Sequence, residues 1–144
     1  MSHKIVVGYD GTDSAKAALS FATALARAQG GSIVVAHVLE WSPYSFLTPT
    51  ELEERHKRRG EELERAEAAI LTPAVESLKD SGLEISTALR YGHIAATLGE
   101  IAKDVGADQI VIGRNGEPGL SSRVFGSVAM SLAQGAPVPV TIVP

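Results

Sequence analysis

The sequence contains no cysteine. A disulfide framework and a thiolate metal site are therefore excluded, and a reducing compartment is the natural setting. Long apolar runs are also absent: no stretch approaches the roughly 18 apolar residues that a membrane span requires. The apolar run at residues 5–7 is far shorter than the apolar region of a signal peptide. We therefore expect a cytoplasmic protein without membrane insertion.

A broad positive field is missing as well. The chain has 13 Lys and Arg against 17 Asp and Glu, a formal net charge of −4 and a pI near 5.5. The long-range attraction that drives non-specific nucleic-acid binding is therefore lacking, and we expect no nucleic-acid partner. Any anionic ligand has to be held by local contacts.

Several motifs of catalysis and cofactor binding do not occur. There is no GxxxxGK[ST] sequence, no GxGxxG after the first predicted strand and no GxSxG. The four histidines His3, His37, His56 and His93 are scattered and lack a second ligand at metal spacing. For His37 a structural role at a strand end is favoured over catalysis. The sequence thus predicts neither a P-loop enzyme, nor a classical dinucleotide fold, nor a histidine metal site.

What is present is an alternation of short apolar runs with helical patterns. With 144 residues, 44% of them hydrophobic, we expect a single domain over residues 1–144 with one core. Strands are predicted at 4–9, 32–39, 84–90, 109–112 and 138–143, with helices between them. This order is typical of an α/β fold, an open five-stranded parallel sheet with helices on both faces.

The helix boundaries have sequence signals of their own. Apolar residues from Ala15 to Ala26 recur at helical spacing, with Asp13 as the predicted N-cap and Gly30 as the stop. Residues 41–50 have a loop composition. Residues 51–78 are rich in acids and bases and are predicted to form a solvated helix that breaks at Gly60.

The stretch from Gly113 to Ser127 carries the clearest chemical signal. It has a GxxG pattern, nine further residues and then Gly-Ser, where the fourth strand hands over to a helix. Gly113 and Gly116 let backbone approach a ligand, and Gly126 and Ser127 begin a helix whose free N–H groups suit an anion. Any one of these glycines is also explained by a turn, so the residues alone predict only a phosphate-binding loop.

The joint spacing resembles the nucleotide motif of the universal stress protein family, and the resemblance extends over nearly the full length of the chain. It includes residues 6–10 and Ser14, His37-Val38 and the closing residues 139–143. The family resemblance implies a sheet with strand order 3-2-1-4-5, the adenine nucleotide α-hydrolase-like fold. It also implies a homodimer through the last strand, Val138 to Val143.

ATP-binding members of the family imply roles for particular residues. Residues at the end of the first strand would lie against the adenosine, Val38 would pack on the base, and Ile112 and Gly113 would line the ribose and phosphate side. Phosphates would be contacted by Gly116 and by the start of the last helix. These implied residues are Gly8, Tyr9, Asp10, Val38, Ile112, Gly113, Gly116, Gly126, Ser127 and Val128. A triphosphate also needs its charge neutralised, by Mg²⁺ or another divalent cation or by Arg114 and Arg123.

Two residues depart from common usage in the family: Arg114 stands where many members have a small hydroxyl residue, and Glu117 places an acid in the loop. We expect an ATP-binding, nucleotide-responsive regulatory or protective dimer in the stress response. Two alternatives stay open, a dimeric stress adaptor without nucleotide and a slow ATP hydrolase. Because no residue of the loop is a convincing general base, we expect at most weak hydrolysis.

Overall fold

The computed structural model describes residues 3–40, 49–114 and 127–144. Strands and helices alternate along the chain. They are β1 (Lys4–Gly8), α1 (Asp13–Gln29), β2 (Ser32–Glu40), α2 (Pro49–Ala66), a π-helical segment (Glu67–Leu71), α3 (Thr72–Ser77), β3 (Glu84–Gly92), α4 (Ile94–Val105), β4 (Gln109–Gly113), α5 (Ser127–Gly135) and β5 (Val140–Val143).

The five strands form one parallel sheet in the order β3-β2-β1-β4-β5. The predicted fold class and strand order are therefore confirmed. From β1 the chain proceeds outward to β2 and β3, and then crosses back to place β4 on the other side of β1. The strand order thus reverses between β1 and β4, which is where open α/β sheets place their ligands.

Both faces of the sheet are covered. One apolar cluster joins Ile5, Val7, Ile33 and Val35 to α1, the π-helical segment and α3. The other joins alternate residues of the same strands, such as Val6, to α4 and α5. This explains why the central strands read as continuous apolar runs: their side chains are buried on both sides.

The start of α1 differs from the sequence prediction. Thr12, not Asp13, is the N-cap, and its side chain accepts a hydrogen bond from the Ala15 N–H. Asp13 is the first helical residue, where its negative charge suits the positive end of the helix. Gly30 ends the helix as predicted, in a left-handed conformation with φ of 73°.

The predicted break at Gly60 is wrong, because α2 continues through it to Ala66. Pro49 and Thr50, predicted as loop, already belong to this helix. The irregularity lies instead in the π-helical segment, where Leu71 is buried against the core. A single glycine in a helix costs about 1 kcal/mol relative to alanine, which neighbouring helical residues can offset.

The last strand lies at the edge of the sheet, as predicted, but begins at Val140 and not at Val138. Pro139 has no N–H to donate, although its carbonyl accepts a 2.9 Å hydrogen bond from Ile110. Within the described ranges, no helix is long and apolar enough to cross a membrane.

Candidate functional site

A cavity of about 470 Å³ opens at the carboxyl ends of the strands, where the strand order reverses. It is lined by the ends of β1, β2 and β4, and by residues from the starts of α1, α4 and α5. The lining residues are Gly8, Tyr9, Asp10, Thr12, Ala15, Ala36, His37, Val38, Leu39, Glu40, Ile94, Leu98, Ile112, Gly113, Arg114, Ser127, Val128 and Ala129.

The cavity lining contains every described residue that the sequence predicted for the site. These are Gly8, Tyr9, Asp10, Val38, Ile112, Gly113, Arg114, Ser127 and Val128. The other three nominated residues, Gly116, Arg123 and Gly126, lie outside the described residues. Four separate segments of the described chain therefore converge on one cavity.

One wall of the cavity is apolar and tightly packed. Val38, Leu98 and Ile112 are buried members of the same cluster. A Cβ at Gly8 would lie 3.0 Å from the Ile112 side chain and 3.1 Å from that of Leu98. Gly8 therefore leaves room for these two side chains to pack under the cavity, and a larger residue would displace them.

Gly113 has a different reason to be glycine. A Cβ at this position would lie 2.6 Å from the carbonyl oxygen of Ser14 and would also overlap the Ser14 hydroxyl. The first turn of α1 thus packs directly on the end of β4. The sequence suggested that Gly113 lets backbone approach a ligand, whereas the structure shows that it also lets a helix approach a strand.

The turn after β1 fixes the Asp10 carboxylate at this edge of the sheet. Asp10 Oδ1 accepts hydrogen bonds from the Thr12 N–H, at 3.0 Å, and from the Thr12 hydroxyl, at 2.6 Å. Between them Gly11 has φ of 81°, which L-residues rarely adopt and which closes the turn. Asp10 is therefore a turn residue and a cavity-lining residue at once.

His37 connects β2 to the end of β1. Its Nδ1 lies 2.7 Å from the Tyr9 carbonyl oxygen, and since a carbonyl can only accept, Nδ1 carries the proton. This contact agrees with the structural role that the sequence favoured for His37. Burial, and to a smaller extent the Asp10 charge, raise the pKa of the Tyr9 phenol above its ordinary value of 10.0, so that Tyr9 is neutral at physiological pH.

The cavity is lined by charges of both signs. Asp10 follows β1 and Glu40 is the last residue of β2, whereas Arg114 follows β4. The backbone N–H of Arg114 donates to Val143, which fixes the chain at the end of β4. None of the ion pairs among the described residues involves Arg114. Within these ranges no three His, Cys, Asp or Glu side chains group to hold a metal.

Sequence reasoning did not predict about half of the lining residues, among them Thr12, Glu40 and Leu98. Thr12 had a signal, since Asp-Gly-Thr before a helical pattern is typical of a turn that ends in an N-cap. Leu98 reads only as a core residue of a helix. Its place under the cavity depends on how α4 packs on the sheet, which local sequence does not specify.

Comparisons with known proteins agree with this geometry. The model of the universal stress protein family matches residues 1–144. A universal stress protein of Thermus aquaticus, named for its position in the 3′ region of a QAH/OAS sulfhydrylase gene, is 36% identical, with 99% of both chains covered.

Solved structures of the family also superimpose. UspA from Lactobacillus plantarum gives a TM-score of 0.82 at 24% identity, covering 99% of this chain and 97% of that one. A universal stress protein in complex with cAMP gives 0.64 at 26% identity, covering 99% and 96%. The Archaeoglobus fulgidus protein in complex with dAMP gives 0.64 at 25% identity, covering 99% and 98%. The strand order, the cavity where that order reverses and the family match over residues 1–144 agree with one another. The chain belongs to the universal stress protein family.

Proposed function

We propose that the protein binds ATP in the cavity between β1 and β4 and acts as a nucleotide-responsive regulatory or protective protein in the stress response. The observation that carries the proposal is the mixed lining of this cavity. Apolar side chains and the Asp10 carboxylate line it together with Arg114 and the first residues of α5. A nucleotide has the matching combination of an apolar base with polar edges and an anionic phosphate chain.

The size of the cavity and the family support the same class of ligand. About 470 Å³ lies within the usual range of small-molecule sites, roughly 300–1,000 Å³. Two solved family members are described as complexes with cAMP and dAMP, both adenine nucleotides. For this chain, the triphosphate form is our proposal, made from the resemblance of the Gly113–Ser127 stretch to ATP-binding members.

Several contributions have to combine to give useful affinity. A micromolar dissociation constant corresponds to about −8 kcal/mol, whereas one helix N-terminus supplies about 0.3–1 kcal/mol. The N-terminus of α5 is therefore insufficient alone. Packing of the base on Val38, a charge-assisted contact from Arg114 and a hydrogen bond from the Ser127 hydroxyl supply the remainder in this proposal.

A divalent cation would arrive with the phosphates. Because the described residues hold no metal cluster, we propose that Mg²⁺ is bound through phosphate oxygens and water, as this small cation usually is in nucleotide sites. The protein would then supply positioning and not a metal cage. Affinity for ATP should accordingly depend on Mg²⁺, while Mg²⁺ alone should not bind.

Calorimetric titration with ATP, with and without Mg²⁺, tests the proposal, and the chain offers a matched pair of variants. Ser127 lines the cavity, while Ser131 is exposed one helical turn further along α5 and does not. Loss of a hydrogen bond to a charged group costs about 1.5–3 kcal/mol. Ser127→Ala should therefore weaken ATP binding at least about tenfold, whereas Ser131→Ala should leave it unchanged.

Wild-type protein that gives neither heat nor a thermal shift at millimolar ATP would contradict the proposal and favour the alternative, a stress adaptor without nucleotide. Phosphate release that persists in Ser127→Ala at the wild-type rate would point to a contaminating hydrolase. The extent of the family match, residues 1–144, supports treating the chain as one domain. The cytoplasmic location stays a prediction.

A further inference from the structure

Thr12 makes three contacts at once beside the cavity. Its hydroxyl donates to Asp10 Oδ1 at 2.6 Å, its backbone N–H donates to the same oxygen at 3.0 Å, and its hydroxyl oxygen accepts from the Ala15 N–H at 3.2 Å. A hydroxyl has one proton and two lone pairs, so the donation and the acceptance are compatible. Thr12 therefore connects the Asp10 carboxylate to the first turn of α1.

This connection has a rigid base. The first turn of α1 packs on Gly113 so closely that no Cβ fits between them. Ala15, which donates to Thr12, is buried in the core beneath the sheet edge. The hydroxyl of Thr12 is thus held from a fixed helix, and through it the carboxylate of an otherwise exposed aspartate is held in one orientation.

The contacts use only one oxygen of the carboxylate. Among the residues that the structure describes, Oδ2 of Asp10 makes no hydrogen bond. An ionised carboxylate is an acceptor only and repels phosphate, so the ligand atoms that suit Oδ2 are donors. On a nucleotide, such donors are the exocyclic amino group of the base and the ribose hydroxyls.

We propose that Thr12 is a positioning residue for ligand recognition: it holds Asp10 so that Oδ2 accepts a hydrogen bond from a donor on the nucleoside part of the nucleotide. This inference rests on the proposed function. It adds that selection among nucleotides depends on a residue that acts through Asp10 and need not touch the ligand.

The test compares dissociation constants of ATP, ITP, 2′-deoxy-ATP and 3′-deoxy-ATP, measured by calorimetry on wild type, Thr12→Val, Thr12→Ser and Thr12→Asp. ITP lacks the exocyclic amino group, and each deoxynucleotide lacks one hydroxyl. In the wild type, the analogue without the recognised donor loses a hydrogen bond to a charged group and should bind at least about tenfold more weakly than ATP. In Thr12→Val, the difference in affinity between ATP and this analogue should largely disappear, mainly because ATP binds more weakly. Thr12→Ser should restore the difference.

Thr12→Asp separates this role from helix capping. Aspartate is a good N-cap, so α1 should stay formed, but it cannot donate to Asp10. Its added charge weakens all four nucleotides together, while the ratio between ATP and the discriminating analogue should still fall. Thermal unfolding confirms that each variant is folded before it is titrated.

The outcomes distinguish the two proposals. If wild type binds ATP but the ratios are the same in wild type, Thr12→Val and Thr12→Asp, the positioning role is overturned while the proposed function stands. The same holds if Thr12→Val weakens all nucleotides equally. If wild type binds none of the four, the proposed function fails and this inference fails with it.

Discussion

Gly113 lies where α1 comes closest to β4, and alanine in its place tests how rigid that contact is. Its φ is not in the left-handed region, so the cost of Gly113→Ala comes from the new Cβ alone, 2.6 Å from the Ser14 carbonyl oxygen. Overpacking against backbone costs about 1–3 kcal/mol. Urea denaturation should show a loss of that size.

Gly60→Ala is the matched control for that prediction. A Cβ at Gly60 meets nothing within 4 Å, and the residue is exposed in the middle of α2. Alanine there should raise the free energy of unfolding by about 0.5–1 kcal/mol. A result in which both substitutions change stability equally would contradict the packing of α1 on β4.

Individual residues also show where sequence reasoning stops. Asp10 and Val38 were nominated for the site because they match a family pattern, and both line the cavity. Thr12 is not predicted as a site residue, because the sequence indicates only a turn and an N-cap at this position and not that one hydroxyl takes part in both. Leu98 was not distinguishable from core, since only the packing of α4 brings it under the cavity.

The link between α2 and β3 makes a prediction about pH. The Tyr91 hydroxyl on β3 donates to the Glu62 carboxylate on α2, and the Arg59 guanidinium lies 5.4 Å from the centre of the Tyr91 ring. Burial, followed by the hydrogen bond and charge of Glu62, raises the Tyr91 pKa from 10.0 to about 12. Because the folded state favours the neutral phenol, this stabilisation is present below pH 10 and is lost as the pH rises toward 12.

Tyr91→Phe should therefore lower the free energy of unfolding by about 0.5–1.5 kcal/mol at pH 8. The difference from wild type should narrow above pH 10. Urea denaturation from pH 8 to 11 measures this difference in the free energy of unfolding. The contribution of Tyr9, whose pKa is also raised, is the same in both proteins and cancels. A difference that stays constant up to pH 11 would show that the bond to Glu62 does not control Tyr91.

Elements were predictable where one local signal dominates. The β-branched runs predict β1 and β2 with bounds close to those observed, and Gly30 predicts the end of α1. The course of α2 was not predictable from Gly60, because the choice between a glycine break and a continuous helix depends on the helix as a whole. The start of β5 at Val140 has a similar reason: Pro139 has no backbone N–H to donate, and a hydropathy pattern does not register that loss.

At the scale of the whole molecule, β5 has β4 on one side, and no other strand of the residues that the structure describes lies on the other side, which is therefore an open edge among these residues. The order itself came from family resemblance, because alternating strands and helices predict a parallel sheet but not which strand is outermost. The Pro139 carbonyl accepts a hydrogen bond from the Ile110 N–H of β4, and the Val143 carbonyl accepts one from the N–H of Arg114, the residue after β4. Since successive strand residues point their backbone groups to opposite sides, Val140 and Ile142 direct theirs toward the open edge.

An apolar edge of this kind favours pairing with another chain, and we predict a homodimer through residues 138–143. Ile142→Pro removes an outward N–H without removing a bond to β4, so it should give a folded monomer. Thr141→Pro, one residue earlier, removes a donor that faces β4 and should also lower the unfolding temperature. Light scattering at micromolar concentration measures the mass of wild type and both variants. A monomeric wild type would contradict the dimer, and a dimeric Ile142→Pro would assign the interface to another surface.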